Sequence, residues 1–241
     1  MKIVFLGVGE AFDEEQPNSS ILLINKTKLL LDCGFRVPYQ LWKYNKDQSF
    51  LDGVYISHFH ADHYFGLQAL LIRMVEEKRT KPFTIISQKG SKDVITKIMD
   101  LAYKGCLDTL TYELNFIETE DKIKFNELEL SFAQGQHFVK DIAVRITDND
   151  KTICYSGDTK VSDKVIELAK GCDLLIHEAY FYDEPYIYDR NFHTAIVDLI
   201  EKTKEFKLIA LTHINRDIRK KLDINNKNII IPKTFDEIKV V

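Results

Sequence analysis

Val54-Tyr55-Ile56-Ser57-His58-Phe59-His60-Ala61-Asp62-His63 sets a short apolar run directly before three imidazoles and a carboxylate. Neutral imidazole and carboxylate are the donors that suit zinc and its neighbours among the first-row metals. Four such groups in six positions make poor packing material, because each buried polar side chain needs its own hydrogen-bond partner. A polar turn with a few surface histidines is the alternative. It is weakened by His137, Asp158 and His213, each of which follows an apolar run farther along the chain.

Reading outward from that turn, hydrophobic alternation predicts strands at 2–6, 21–25, 28–32, 53–57, 83–87, 114–117, 122–125, 127–133, 142–147, 152–156, 173–177 and 207–212. Helices are predicted at 39–44, 64–77, 91–103, 162–170 and 193–203. The 64–77 segment places Leu67, Leu70, Leu71 and Met74 on one face, and Ser91 caps the helix that follows. No internal repeat or Pro/Gly-rich linker is legible. The mixture predicts an α/β protein with two packed sheets and helices on both outer faces, although other α/β architectures fit the same pattern. His58, Asp158 and His213 all follow predicted strand ends, where open α/β sheets place ligands.

His-x-His-x-Asp-His at 58–63, then His137, Asp158 within Ser156-Gly157-Asp158-Thr159, and His213 within Leu211-Thr212-His213, resembles the metallo-β-lactamase superfamily. Met1 to Gly9 and Leu30-Leu31-Asp32-Cys33-Gly34 are similar to its first strands. The resemblance covers nearly the whole chain and implies a four-layer αββα sandwich, a single hydrolase domain over 1–241. It further implies a site for two divalent ions, zinc with manganese as the alternative. His58, His60 and His137 would hold one ion, Asp62, His63 and His213 the other, and Asp158 would bridge them. Asp62 would also take the proton of the attacking water.

Two further segments point to one branch. Asp173-Leu174-Leu175-Ile176-His177-Glu178-Ala179 and Phe192-His193-Thr194-Ala195 resemble ribonuclease Z and its phosphodiesterase relatives. The resemblance implies that His193, oriented by Glu178, stabilises phosphate charge or protonates the leaving oxygen. A carboxylate behind an imidazole fixes its tautomer and raises its basicity. His177 points opposite to Glu178 along its strand and is expected to be structural.

The expected activity is therefore hydrolysis of a nucleotide-type phosphodiester, such as a cyclic nucleotide, by hydroxide held between two metal ions. A ribonuclease Z-type endonuclease acting at the 3′ end of transfer RNA is an alternative. A thioester or lactone hydrolase of the same fold is another. An iron-dependent redox enzyme or a non-catalytic binding module would suit the chain less well, since no flavin-binding segment is legible and every expected ligand is present. Transfer-RNA-processing members usually carry a long Gly/Pro-containing arm, and no such excursion interrupts His63 to His137 or His137 to Asp158. With a net charge of −4 the chain also lacks the basic balance that large nucleic acids favour, so RNA is a disfavoured partner. The aromatic stretch Tyr180 to Tyr188 could stack a nucleobase or pack as a lid, and Arg216 or Arg219 could reach a phosphate.

The chain has 241 residues and 45% hydrophobic content, enough for one large layered core. Met1 to Val8 reads as a strand rather than a signal peptide, and no apolar run is long enough to span a membrane. Cys33, Cys106, Cys154 and Cys172 are scattered, which suits reduced thiols in a cytoplasmic protein. A homodimer through the 64–79 region is expected from the same resemblance.

Overall fold

The computed structural model of the chain describes residues 1–183 and 192–240. Its first sheet runs, edge to edge, through Glu237–Lys239 (β14), Lys2–Gly7 (β1), Ser20–Ile24 (β2), Lys28–Leu31 (β3), Gly53–Tyr55 (β4), Phe83–Ser87 (β5) and Leu114–Glu118 (β6). The second runs through Ile229–Ile230 (β13), Ile209–Thr212 (β12), Leu174–Glu178 (β11), Lys151–Tyr155 (β10), Ile142–Asp148 (β9), Leu128–Gln134 (β8) and Ile123–Phe125 (β7). Each sheet changes from antiparallel to parallel pairing partway across. The change falls at β3 in the first sheet and at β10 in the second. The strand pairing thus repeats where the sequence shows no repeat.

Period-2 alternation decides which side chain enters which layer. Ile3 and Phe5 of β1 join Leu23, Tyr55, Val144, Ile153 and Ile176 in the core between the two sheets. Val4 and Leu6 of the same strand face outward and pack with Leu67, Leu71, Met74, Ile95 and Met99. Those residues belong to Leu67–Glu76 (α3) and Ser91–Ala102 (α4), which cover the first sheet together with Val37–Tyr44 (α1). On the far side, Cys154, Leu175 and Leu211 pack against Asp163–Ala169 (α5) and Ile196–Lys202 (α6). Four layers follow, αββα, with each fully buried aliphatic or Phe side chain contributing about 1.5–3 kcal/mol.

Several boundaries differ from the sequence expectation. The helix expected at 64–77 is two helices, Ala61–Tyr64 (α2) and α3. Gly66 breaks them, because its N–H donates to Cys33 O and a Cβ there would meet Gly34 O at 2.2 Å. The helix expected from His193 begins only at Ile196, which leaves His193 in a bend and Thr194 N–H bonded to Glu178 at the end of β11. Helix α1 starts at Val37 rather than Tyr39, with Pro38 tolerated in its first turn. A short helix at Arg216–Arg219 (α7) and the edge strands β13 and β14 are too short for periodicity to reveal.

Arg79 is a fully internal cation. Its guanidinium donates to the carbonyls of Gln48, Leu51, Lys81 and Pro82, and lies over Phe83 and Tyr112. It staples the loop before β4 to the start of β5, and so anchors the strand that leads into the His58 turn. Among the described residues no helix is long and apolar enough to cross a membrane.

Candidate metal centre

All seven predicted donors converge where strands of both sheets end. Strand β4 delivers Ser57 to His63, and Ile56 N–H still donates to Ile86 O, so the chain stays extended up to the turn. Asp158 follows β10, Glu178 closes β11, and His213 follows β12. His213 adopts φ +51°, and its N–H donates to Val8 O, which folds it back over the site. His137 comes from the β8–β9 connection, and its Nδ1 bonds Phe192 O at 2.8 Å.

Two groups result. His58, His60, His137 and Asp158 form one, and Asp62, His63, Asp158 and His213 the other; in each, one donor atom per residue lies within 4.8 Å of the rest. A zinc–ligand distance of about 2.0–2.1 Å puts tetrahedral donors roughly 3.3 Å apart. In the second group His63 Nε2 lies 3.2 Å from Asp62 Oδ2 and 3.4 Å from Asp158 Oδ2. His213 Nε2 lies 3.3 Å from each of the same two oxygens. These four separations match the edge length of a tetrahedron around one ion. The first group is looser: His137 Nε2 is 3.0 Å from His60 Nδ1, and His58 Nε2 is 3.9 Å from Asp158 Oδ2. His58 Nε2, His63 Nε2 and Asp158 Oδ1 are buried with no hydrogen-bond partner among the described residues. Buried orphans of this kind are costly, and bound cations would satisfy them. The donor set therefore fits divalent metal.

The electrostatics of the groups differ. Burial, with neighbouring His63, pushes His58 well below the usual histidine range, and burial beside His137 pushes His60 down. Burial also opposes charge on His63 and His213. Asp158 and Asp62 beside both, with Asp32 behind His63, outweigh it and raise the two imidazoles. Conversely, burial would raise Asp62 and Asp158, but the neighbouring imidazoles hold both well below the usual carboxylate range.

Behind the donors stand residues the sequence reading missed. Asp32, fully buried at φ +59°, accepts from Ser57 N–H and Ser57 Oγ, from Tyr155 OH, and from His63 Nδ1 at 2.7 Å. Four donors to one carboxylate lock the His63 ring with Nε2 toward the site. Asp141 is also fully buried, with Oδ1 at 3.1 Å from His58 Nδ1. The lone acid after the apolar run 29–31 was a readable sign for Asp32; nothing in the sequence marks Asp141.

The expected Glu178–His193 pair is present. Glu178 Oε1 accepts from Thr159 N–H at 2.8 Å and pairs with His193 Nδ1 at 2.9 Å, and Oε2 accepts from Thr194 N–H at 3.2 Å. The His193 ring stacks on Tyr180 and lies 5.6 Å from the His213 ring at 12°. His177 is fully buried, with its Nδ1 2.7 Å from Glu178 O. Arg216 pairs with buried Glu10 at 2.7 Å, and Arg219 pairs with buried Asp13. Both guanidiniums latch α7 to the loop after β1 instead of lining the donors. Of the aromatic stretch, Tyr180 and Phe181 sit beside the site, whereas Tyr186 and Tyr188 lie outside the described residues.

A family model described as "Anti-Pycsar protein Apyc1" matches residues 1–231. Ribonuclease Z of Methanosarcina mazei is 25% identical over 299 aligned positions, spanning the whole chain and 98% of that relative. Among solved structures, human tRNase Z, short form, superposes with a TM-score of 0.82 at 22% identity, over the full length of both chains. The metallo-β-lactamase fold protein YhfI of Bacillus subtilis gives 0.80 at 22%, over 98% of each chain. The alignment to the archaeal relative needs 299 positions for a chain of 241 residues, so that relative carries internal segments this one lacks.

Proposed function

The chain belongs to the family of the Anti-Pycsar protein Apyc1, in the ribonuclease Z and phosphodiesterase branch of the metallo-β-lactamase superfamily, and within that metal-dependent hydrolase framework we propose a binuclear phosphodiesterase for small nucleotide-type substrates, cyclic nucleotides among them. The observation that carries the reading is the nest of Asp62, His63, Asp158 and His213, with four donor separations of 3.2–3.4 Å, and the Glu178-held His193 beside it. His58, His60 and His137 would hold the first ion, Asp62, His63 and His213 the second, and Asp158 would serve both. Zinc is the proposed ion, manganese the alternative, because the donors are imidazole and carboxylate alone. When bound, two such ions lower the pKa of water and neutralise phosphate charge.

The chain's own residues do the rest. Asp62 has one carboxylate oxygen at His63 and His213, so it can orient the attacking water and take its proton. Glu178 Oε1 holds His193 Nδ1–H and aims Nε2 at the site, so that the ring, when it carries a second proton on Nε2, passes that proton to the departing oxygen and returns to the neutral Nδ1–H form. Tyr180 keeps the His193 ring flat against it. The backbone N–H groups of Thr159, Tyr180 and Thr194 donate to the buried Glu178 carboxylate and fix its orientation toward His193.

The small-substrate reading is supported by the segments missing relative to the archaeal ribonuclease Z and by the net charge of −4, since gripping a large RNA draws on phosphate neutralisation. A ribonuclease Z-type endonuclease remains the second reading, favoured by the names of the relatives. The domain is proposed as one hydrolase unit over 1–241, acting as a homodimer.

One mixture tests the choice. Zinc- or manganese-loaded protein is given 3′,5′- and 2′,3′-cyclic mononucleotides and a 3′-extended transfer-RNA precursor, with Asp62→Ala as the blank, and products are read by mass spectrometry. Ring-opened nucleotides with an intact precursor are expected. A trimmed precursor with intact rings would replace this proposal by the endonuclease, and no cleavage at all would remove the phosphodiesterase reading.

A further inference from the structure

Asp141 is a buried carboxylate with no structural return that is visible in its contacts. It is fully enclosed, and its Oδ2 has no hydrogen-bond partner among the described residues. Its Oδ1 accepts only the Asp158 N–H, at 3.2 Å, and lies 3.1 Å from His58 Nδ1. An apolar side chain of similar size would be cheaper in a purely structural role.

The backbone is nevertheless shaped around this carboxylate. Gly157, at φ +63°, passes so close that a Cβ would meet Asp141 Oδ1 at 2.2 Å. A Cβ on Gly135 would meet Oδ2 at 2.9 Å. Gly135 N–H donates to Asp141 O, and Ile142 N–H donates to Ser57 O. The loops that carry His58, His137 and Asp158 therefore close on one side chain. On the opposite side of the centre Asp32 backs His63 in the corresponding way, directly on Nδ1. His58 Nδ1 has a second neighbour, Ser57 Oγ at 3.0 Å, whose own proton is engaged by Asp32. With Ser57 Oγ an acceptor, Nδ1 of His58 must carry the proton, and Nε2 is free toward the donors of the first group.

We propose that Asp141 is a positioning residue of the first ion site: its carboxyl group holds the His58 ring as the Nδ1–H tautomer and ties the Asp158 loop to it. The proposal rests on the binuclear reading above. Carboxylates behind metal-binding imidazoles typically matter by 10–100-fold in affinity.

The test measures ion content and chelator-competition affinities for wild type, Asp141→Ala, Asp141→Asn and His58→Ala, together with unfolding midpoints of the ion-free chains. Asp141→Ala should keep the second ion at wild-type affinity and weaken the first by about 10–100-fold. Its ion-free midpoint should be unchanged or higher. Asp141→Asn, whose amide oxygen still faces His58, should recover part of the lost affinity. Nitrogen-15 shifts of His58 should report Nδ1 protonated in the wild type and mixed tautomers in the alanine variant. Wild-type affinity for both ions in the alanine and asparagine variants would overturn the proposal, as would an ion-free midpoint that falls while affinities hold. If the alanine variant does not fold, the asparagine variant decides: unchanged affinity and unchanged His58 tautomer refute the role. His58→Ala separates the two readings, because retention of two ions there would defeat the binuclear assignment itself, whatever Asp141 does.

Discussion

His60 and His137 are partly open to solvent and reach the first donor group from two separate loops, whereas Asp62, His63 and His213 are buried together at the meeting of both sheets. The difference extends to the charges. Burial holds His58 and His60 toward the neutral form, while Asp158 and Asp62 hold His63 and His213 toward the protonated form against the effect of burial. One group is a pre-shaped socket, the other a looser set that an ion must draw together. Asp158 alone belongs to both. Asp158→Ala should therefore remove the distinction altogether: ion content should fall at both groups, and turnover on a phosphodiester should drop by on the order of 10³-fold or more, since residues acting as a unit fail together. Metal analysis after dialysis, with activity on the same samples, checks this. Two retained ions would show that the groups are independent and that Asp158 bridges nothing.

A smaller effect separates the groups without mutation. The second group already has its edges at 3.2–3.4 Å, whereas His58 Nε2 stands 3.9 Å from Asp158. Drawing donors inward costs energy that a pre-shaped socket avoids. Titration with a chelator should then release the ions in two steps, the first at about 10–100-fold lower chelator strength than the second. Loss of activity should follow the first step. A single concerted release would mean that the geometric difference has no energetic counterpart.

The same contrast explains what could be read from sequence. Donors that share a turn, His58 to His63, declare themselves by density, and His137, Asp158 and His213 by their places after apolar runs. The residues that brace them show less: Asp32 stands out only as a lone acid after the apolar run 29–31, and Asp141 not at all. Asp32 lies 25 positions before Ser57, and Asp141 meets His58 only because β9 runs back past the end of β4. Such contacts are products of sheet packing, and no local period encodes them. The Gly66 break in the helix after the turn is of the same kind, because its cause is the carbonyl of Gly34 across the chain. Arg216 and Arg219 looked available for phosphate in the sequence, since their buried partners Glu10 and Asp13 lie some two hundred positions away.

That latch yields the smallest expected effect and bears on the socket from outside. Glu10 is almost fully buried, and Arg216 reaches its Oε1 while Phe12 N–H binds Oε2. Gly9 pairs with Ile214, the residue after His213, so the latch steadies the backbone of one second-group donor. Arg216→Ala leaves a buried acceptor short of one partner, which costs about 1–3 kcal/mol of stability. Arg216 is not among the donors, so kcat/KM should stay within about twofold and second-ion affinity should fall by less than about tenfold, one such step being worth 1.4 kcal/mol. Denaturant unfolding, steady-state kinetics and chelator competition on one preparation read all three quantities. A tenfold rise in KM with an unchanged unfolding midpoint would return Arg216 to the substrate and make the latch incidental. A lowered midpoint with near-normal kinetics would make the socket's rigidity a property of the loop after β1 as much as of the donors themselves.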